Sequence, residues 1–406
     1  MYFKLAWRNI WRNKRRTLIT VSSIMFAVVF ALFLESLERG VHNLTIENMT
    51  RFHTGYLQVQ DFRYRDEPSL DNSFHFHGSD RDRISHEAEQ VEFTVPRIET
   101  FMLAAGEEQT RGAMVLGTDL DGENKLNNLE ERLTEGRFFE PGDGTAVLGE
   151  GLAGRLNLAV GDSLVLLGQG RFGMTAAGKF EVAGLIHHPI RDMNNQMVYI
   201  SLADAQWLLS AEDQITSLLV TPTHIRHIDT VSESVLESLD SEELRIFSWE
   251  ELMPELIQAL EFDRASTRVM MMILYVVIGF GIFGTILTMT LERLREFGIL
   301  LSVGMQRFRL ALVLFIETVT ISILGVLSGF LSGFVIILYF YYNPIHLGGD
   351  MEEFVQEWGI EPIMPTALAP DIFLWQGMII FLLTTLICFY PTIKIYTLNI
   401  LDSSRT

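Results

Sequence analysis

Several residue patterns in this chain have types and spacings that can do chemistry. Gly149-Glu150-Gly151-Leu152-Ala153-Gly154 fits the GxGxxG phosphate cradle and follows an expected strand at 145–148. A dinucleotide site also needs a full βαβ unit and an acid about 20 residues further on. The next acid here is Asp162, far too early, so the pattern reads as a structural turn. His75, His77, His86, His187 and His188 carry ligand nitrogens. Zinc, however, needs three or four converging groups, and the HFH and HHP stretches read as surface loops, so no metal is expected. There is no GxxxxGK[ST], hence no P-loop of the chain's own, and no Ser/His/Asp or Cys/His arrangement stands out. Catalytic residues are expected to be none, and the chain is not expected to be an enzyme by itself. The lone Cys388 excludes intrachain disulfides and cysteine-rich metal sites.

Glu317 is different, because it is an acid inside an otherwise apolar stretch, 310–342. An intramembrane acid is a functional candidate, as a proton or substrate relay or as the partner of a nearby arginine. At 1.5 Å per residue it sits roughly 10 Å into that stretch from its start. On the same stretch Gly325, Gly329 and Gly333 recur every four residues, forming a stripe that lets another helix approach closely. Gly279, Gly281 and Gly284 are expected to do the same, less regularly, in a second stretch.

The elements that must position these residues follow from composition. The 406 residues are 48% hydrophobic and 20% charged, with a formal net charge of −20. This balance excludes disorder and argues against nucleic acid, whose phosphates require an excess of Lys and Arg. Four segments reach the roughly 20 apolar residues that cross a bilayer: 17–34, 269–291, 310–342 and 372–393. Aromatic residues mark their ends, as in Tyr339–Tyr342, Trp375 and Tyr390. Lys4, Arg8, Arg12, Lys14, Arg15 and Arg16 precede the first span, and Arg293, Arg295, Arg307 and Arg309 follow the second. The 343–370 loop has no Lys or Arg but contains Asp350, Glu352, Glu353, Glu357 and Glu361. Basic flanks lie inside, so both termini and the 292–309 linker are expected in the cytoplasm, with 39–268 outside. The basic start followed by an apolar run resembles a signal peptide but lacks a small-residue cleavage site, and reads as an uncleaved anchor.

The expected organisation is therefore an α-helical membrane protein with four transmembrane helices plus a large α+β extracytoplasmic domain between helices 1 and 2. Residues 1–16 form a cytoplasmic amphipathic helix, with Phe3, Trp7, Ile10 and Trp11 on one side, lying in the headgroup layer. The first span and the start of its stalk occupy 17–38, and the exterior domain with its stalks 39–268. The second span is 269–291, the cytoplasmic coupling segment 292–309 and the third span 310–342. The exterior loop 343–371, the fourth span 372–393 and the cytoplasmic tail 394–406 complete the chain. The exterior portion holds 39 Asp/Glu against 19 Lys/Arg, so it carries the whole net charge. Alternating runs at Leu57/Val59, Val91/Phe93/Val95, Phe180/Val182 and Met197/Tyr199 predict strands. Helical spacing appears at 203–209 and 228–239. Ser248 and Glu251 form a capping box opening a stalk helix in which Pro254 predicts a kink. The polar segment 61–82 has no periodicity and reads as a mobile excursion.

The most informative stretch is the linker 291–307. Leu291, Leu294, Ile299 and Leu301 can face apolar surroundings, Glu292, Arg293, Arg295 and Glu296 stay polar, and Gly298 and Gly304 allow bends. It reads as a docking element for a cytoplasmic partner, held between two spans so that a push on it moves both.

The linker motif E-R-x-R-E-F-G-I-L-x-S-V-G, the acid Glu317 and the small-residue stripe resemble the permease subunits of macrolide-exporter and lipoprotein-releasing ABC transporters, the FtsX-like superfamily. So do T-A-V-L-G-E-G-L-A-G-R-L, V-Y-I-S-L-A-D-A-Q-W-L-L and the tail at 390–401, where Ile400 stands in place of the usual Pro. The resemblance implies pairing with a second, identical or paralogous, permease and docking of an ABC ATPase dimer on Glu292, Arg293, Arg295, Glu296, Gly298, Gly304 and Arg307. ATP and Mg would be bound by that ATPase, with no cofactor on this chain. It implies mechanotransmission from the linker to the exterior domain, in the inner membrane. The absence of a fused ATPase points to the lipoprotein-releasing arrangement, with an exterior lipoprotein carrier or adaptor and cargo facing Met25, Val29 and Tyr275. An efflux permease of the macrolide-exporter type, or a membrane-anchored regulator of exterior hydrolases, is the alternative.

Overall fold

A computed structural model describes residues 2–12, 14–50, 54–88, 90–224, 228–239, 241, 243–357 and 361–396. The tail motif at 397–401 and the side chain of Phe3 lie outside the described residues. In chain order the elements open with α1 (Tyr2–Arg12), α2 (Lys14–Met49), β1 (Leu57–Asp61), β2 (Phe74–His75) and α3 (Gly78–Glu87). They continue with β3 (Val91–Ala105), β4 (Thr110–Thr118), α4 (Leu120–Asn127), β5 (Leu133–Gly136), β6 (Thr145–Gly149) and α5 (Glu150–Leu156). Next come β7 (Ser163–Gln169), β8 (Thr175–Ile186), α6 (Arg191–Gln196), β9 (Met197–Ser201), α7 (Leu202–Leu208), β10 (Gln214–Ile215) and β11 (Ser217–Pro222). The chain goes on through α8 (Ile228–Leu239), β12 (Leu244–Ser248), α9 (Trp249–Leu252), α10 (Pro254–Leu291), α11 (Leu294–Ser302) and α12 (Arg307–Tyr342). It ends with β13 (Ile345–His346), α13 (Asp350–Glu357), β14 (Ile363–Met364) and α14 (Pro370–Tyr396).

Two compact units result: Met1–Leu44 with Ala259–His346 and Ile363–Thr406, and Thr45–Gln258 with Leu347–Pro362. In the first, α2, α10, α12 and α14 are each long and apolar enough to cross a membrane. A helix satisfies its backbone polar groups internally, which is what an apolar solvent demands. Ile24, Val28, Ile282, Ile321, Ile372 and Ile380 build the shared core. Side-chain oxygens that would be orphaned inside the bundle bond back to the backbone, as Ser36 does to Ala367 (2.6 Å) and Thr366 to Ile337 (2.8 Å).

The second unit is built on a ten-stranded mixed sheet in the order β12-β1-β11-β3-β4-β9-β6-β8-β5, with β7 bridging β3 and β8. Its central strands are covered on both faces. On β9, Val198 and Ile200 enter one core while Met197 and Tyr199 enter the other. The predicted strands and helices all form, in an α+β arrangement.

Three expectations need correction. Segment 61–82 is built into the main core through Leu70, Phe74 and Phe76, and its strand β2 pairs with β10. Its apolar residues are too sparse for a readable period, yet each one is an anchor. Pro254 is the first residue of α10, after a break at Met253, so it starts a helix where its missing N–H is harmless. The Ser248–Glu251 capping box does form, but on the one-turn helix α9. Finally, α1 is split by burial: Ala6 and Ile10 are buried while Trp7 and Trp11 stay exposed, edge to face at 6.0 Å.

Candidate functional site: the linker between the second and third spans

The linker folds as a short helix, α11, followed by a tight turn into α12. Gly304 in that turn has φ +99°, a left-handed conformation that a side chain would strain. Gly298, by contrast, lies within α11 and is buried, so it makes no bend. Phe297 and Leu301, one turn apart, pack on Leu310 and Leu314 of α12. This fixes α11 against the start of the third span. The opposite surface exposes Ile299, Leu300, Val303 and Phe308 together with Glu292, Arg295, Glu296, Gly304 and Arg307. Leu291 and Ile299 lie on the exposed side, and Phe297 takes the inward position.

Arg293 departs from the predicted docking set. It is 3% exposed, and its Nη1 donates to Glu317 at 2.5 Å. The acid in the span is thus held by the first arginine of the linker. On the outside of the linker, Arg12 binds Glu296 at 2.5 Å and Arg16 binds Glu292, so the N-terminal segment is clamped to it as well.

The glycine stripe of α12 seats α2. A Cβ at Gly325 would lie 2.6 Å from Ile24, one at Gly329 2.6 Å from Val28, and one at Gly333 3.0 Å from Leu32. The period of four on one helix matches Ile24, Val28 and Leu32 on the other. Gly281 and Gly284 do not share this role: a Cβ on either would meet nothing within 4 Å, and Gly279 meets only Leu383, at 3.6 Å. Met25 and Val29, expected to face cargo, turn their backbones toward Gly329 and Gly333. The exposed face of α2 instead presents Phe26 and Phe30, which with Ile278 and Ile282 of α10 line an apolar crevice of about 290 Å³. Tyr275 is half-buried, with its hydroxyl donating to Gln376 Oε1 at 2.5 Å. It also lines a polar cavity of about 560 Å³ with Glu35, Arg39, Arg264, Arg268 and Trp375.

The remaining candidates lie in the second unit. Over Gly149 and Gly151, α6 packs close: a Cβ at Gly149 would meet the Asn194 carbonyl oxygen at 2.4 Å, and one at Gly151 Asn195 Oδ1 at 2.2 Å, while one at Gly154 would meet nothing within 4 Å. The five histidines are not brought together among the described residues. His75 lies in β2, His77 caps α3 and His86 sits in α3, so these three are not in loops. His187 Nδ1 meets Glu150 at 2.9 Å and His188 Nε2 meets the Tyr199 hydroxyl at 2.9 Å. The one trio with metal-ligand spacing among the described residues is Glu38, His42 and Asp263. Arg39, Arg264 and Arg268 line the cavity beside it and oppose cation binding.

A buried network in the second unit was not legible in sequence. Arg97 donates to Glu123 through Nε (2.9 Å) and Nη2 (2.5 Å), and Asn127 and Thr118 complete the carboxylate's shell. Burial opposes the Arg97 charge, but Glu123 and then Glu99 outweigh it and push its pKa up. A single arginine in an alternating strand carries no sign of its partner 26 residues away.

Four spanning helices, a large α+β domain between the first two and a bent linker between the next two define a multi-pass membrane permease. The family model described as MacB-like periplasmic core domain matches residues 17–237, and that of the FtsX-like permease C-terminal matches residues 268–400. The chain belongs to the FtsX-like family of ABC transporter permeases. The lipoprotein-releasing system transmembrane protein LolC of Xylella fastidiosa, in strains Temecula1 and 9a5c, is 23% identical over 254 residues. That match covers 61% of this chain and 61% of LolC, less than two thirds of the relative's length. Among solved structures, the extracellular domain of the noncanonic ABC-type transporter YknZ from Gram-positive bacteria has a TM-score of 0.36 at 13% identity, covering 47% of this chain and 99% of that one. The periplasmic region of MacB from Actinobacillus actinomycetemcomitans has a TM-score of 0.38 at 14% identity, covering 53% and 97%.

Proposed function

We propose that the chain is the permease subunit of an ABC transporter that works by mechanotransmission and releases acylated proteins from the membrane. Both termini and the linker face the cytoplasm, where a separate ATPase dimer holding ATP and Mg docks on the exposed side of α11. The observation that carries this reading is the two-sided linker. One side is locked to the third span by Phe297, Leu301 and the Arg293–Glu317 pair, while the other offers Arg295, Ile299, Val303 and Phe308 to a partner. A force on that surface has nowhere to go but into the spans. A second permease, identical or paralogous, completes the transporter.

Lipoprotein cargo is favoured by the LolC relative, whose name describes that activity, and by the crevice lined by Phe26 and Phe30. Acyl chains would fit this apolar slot, and the polar cavity around Arg39 and Arg268 would take the adjoining polar part. An exterior carrier or adaptor would then receive the cargo. The decisive experiment is to purify the tagged chain from its native membrane. Recovery of a P-loop ATPase supports the reading, and its absence removes the basis for transport. A photo-crosslinker at Phe26 or Phe30 should trap lipoproteins; trapping of small molecules alone would favour efflux of the macrolide-exporter type.

A further inference from the structure

The end of the α2–α10 pair beside the linker holds another cavity, of about 950 Å³, which the transport reading leaves unused. Its lining combines cations with apolar side chains. From α2 come Lys14, Arg15 and Arg16 and, one turn further, Ile19; from α10 come Phe280 and Met289. Glu292 is the one acid in the lining, and it is already bound to Arg16. Lys14 and Arg15 are exposed, and neither has a carboxylate partner among the described residues. The Nη1 of Arg16 is buried with no hydrogen-bond acceptor. It is therefore the two exposed cations, Lys14 and Arg15, that offer an anion charge-assisted hydrogen bonds at the mouth of the cavity.

The cavity continues into apolar space. Gly281 lines both it and the crevice of Phe26 and Phe30. Because a Cβ on Gly281 or Gly284 would meet nothing within 4 Å, the groove stays open between the two. The uncharged part of α2 begins at Thr17, directly after Arg16, and that of α10 ends at Leu291, directly before Glu292. The basic mouth therefore sits at headgroup level and the crevice at acyl-chain level.

We propose that this groove binds one anionic phospholipid from the leaflet beside the linker. The exposed Lys14 and Arg15 hold the phosphate, and an acyl chain lies along Gly284 and Gly281 toward Phe26. Arg16, next in the lining, holds Glu292 of the linker, so occupancy of the groove bears on how firmly the linker is clamped. The assignment rests on the membrane reading of α2 and α10, and not on the cargo.

The test uses the full-length chain in neutral detergent with fluorescent phosphatidylglycerol and phosphatidylcholine of matched acyl chains. Phosphatidylglycerol should bind more tightly. The Lys14→Ala/Arg15→Ala double variant should weaken it roughly 30-fold, at about fivefold per surface cation. Arg8→Ala, which removes a cation of α1 outside the cavity, should change it less than about twofold. Equal binding of the two lipids, or an equal loss with Arg8→Ala, overturns the proposal. Displacement of the lipid by inorganic phosphate would identify a free-phosphate site and overturn the lipid assignment. Gly281→Leu fills the open groove without altering charge and should also reduce retention; unchanged retention overturns the acyl-chain placement. Elution profile and thermal unfolding verify that each variant is folded. ATPase capture on the same preparations tells failure of the lipid site from failure of the transport reading.

Discussion

Arg293 of the linker and Glu317 of the third span meet at 2.5 Å, both almost fully buried and 24 residues apart in sequence. Removing one partner of such a pair strands the other charge in a medium that cannot solvate it, at about 3–5 kcal/mol, whereas replacing both with apolar residues is often neutral. Glu317→Leu should therefore lower the thermal unfolding midpoint in detergent sharply, and Arg293→Met/Glu317→Leu should recover most of the loss. The double variant also separates structure from relay. If the acid only anchors the linker, ATP-driven cargo release survives in it; if the acid carries protons, release is lost in a stable protein.

The contact between α12 and α2 makes a second, independent prediction. Gly329→Ala puts a methyl carbon 2.6 Å from Val28 Cβ, closer than real contacts allow, so the helices must separate. Overpacking of this kind costs about 1–3 kcal/mol. Gly281→Ala meets open space and gains helix propensity, so its midpoint should stay level or rise. Equal losses from both substitutions would show that helix flexibility, and not close approach, is what these glycines provide.

This contrast also shows what the sequence could and could not convey. Gly325, Gly329 and Gly333 announce a close helix contact because the spacing that matters, four residues, lies within one segment. Gly281 and Gly284 face open space within this chain, and a small residue in a helix looks the same whether it faces a neighbour or a cavity. Spans, strands and the linker helix were legible from local period. The inward turn of Arg293 was not, because its partner lies on another helix and four arginines of the linker are equivalent on paper. Arg97 with Glu123 was hidden for the same reason. Segment 61–82 misled because Leu70, Phe74 and Phe76 anchor an irregular backbone, to which no periodicity applies.

Acid should reveal one contribution of the second unit. Asp61 is buried and accepts from Arg63 through Nε (2.9 Å), Nη2 (2.7 Å) and the backbone N–H (2.9 Å). The side-chain bonds from Arg63 hold its carboxyl below the usual aspartate range, against an opposing effect of burial. A carboxyl whose folded value is depressed contributes stability that is complete above its ordinary value and is lost as pH falls through the folded one. The wild-type midpoint should thus decline as pH drops below the ordinary value of 3.8. Asp61→Asn should start lower at neutral pH and lose less over that window. Parallel declines in the two proteins would assign the acid limb to other carboxylates.

The two sides of the linker should respond to mutation in opposite ways. Phe297 and Leu301 fill the contact with Leu310 and Leu314, so Phe297→Ala opens a void and should cost about 3–5 kcal/mol of stability. Val303 and Phe308 are 83% and 65% exposed, and a change there should move stability by no more than about 0.5 kcal/mol. These exposed apolar side chains belong to the surface proposed above to receive the ATPase. Phe308→Asp and Val303→Asp should therefore leave the unfolding midpoint unchanged while weakening ATPase capture by about 30-fold each, the loss expected of a central interface residue. Arg295→Ala should act in the same direction more weakly and with a steeper dependence on salt, as a rim charge does. Capture that persists through Phe308→Asp but fails in Arg12→Ala would move the docking surface to the Arg12–Glu296 clamp, leaving the linker as a strut between the spans.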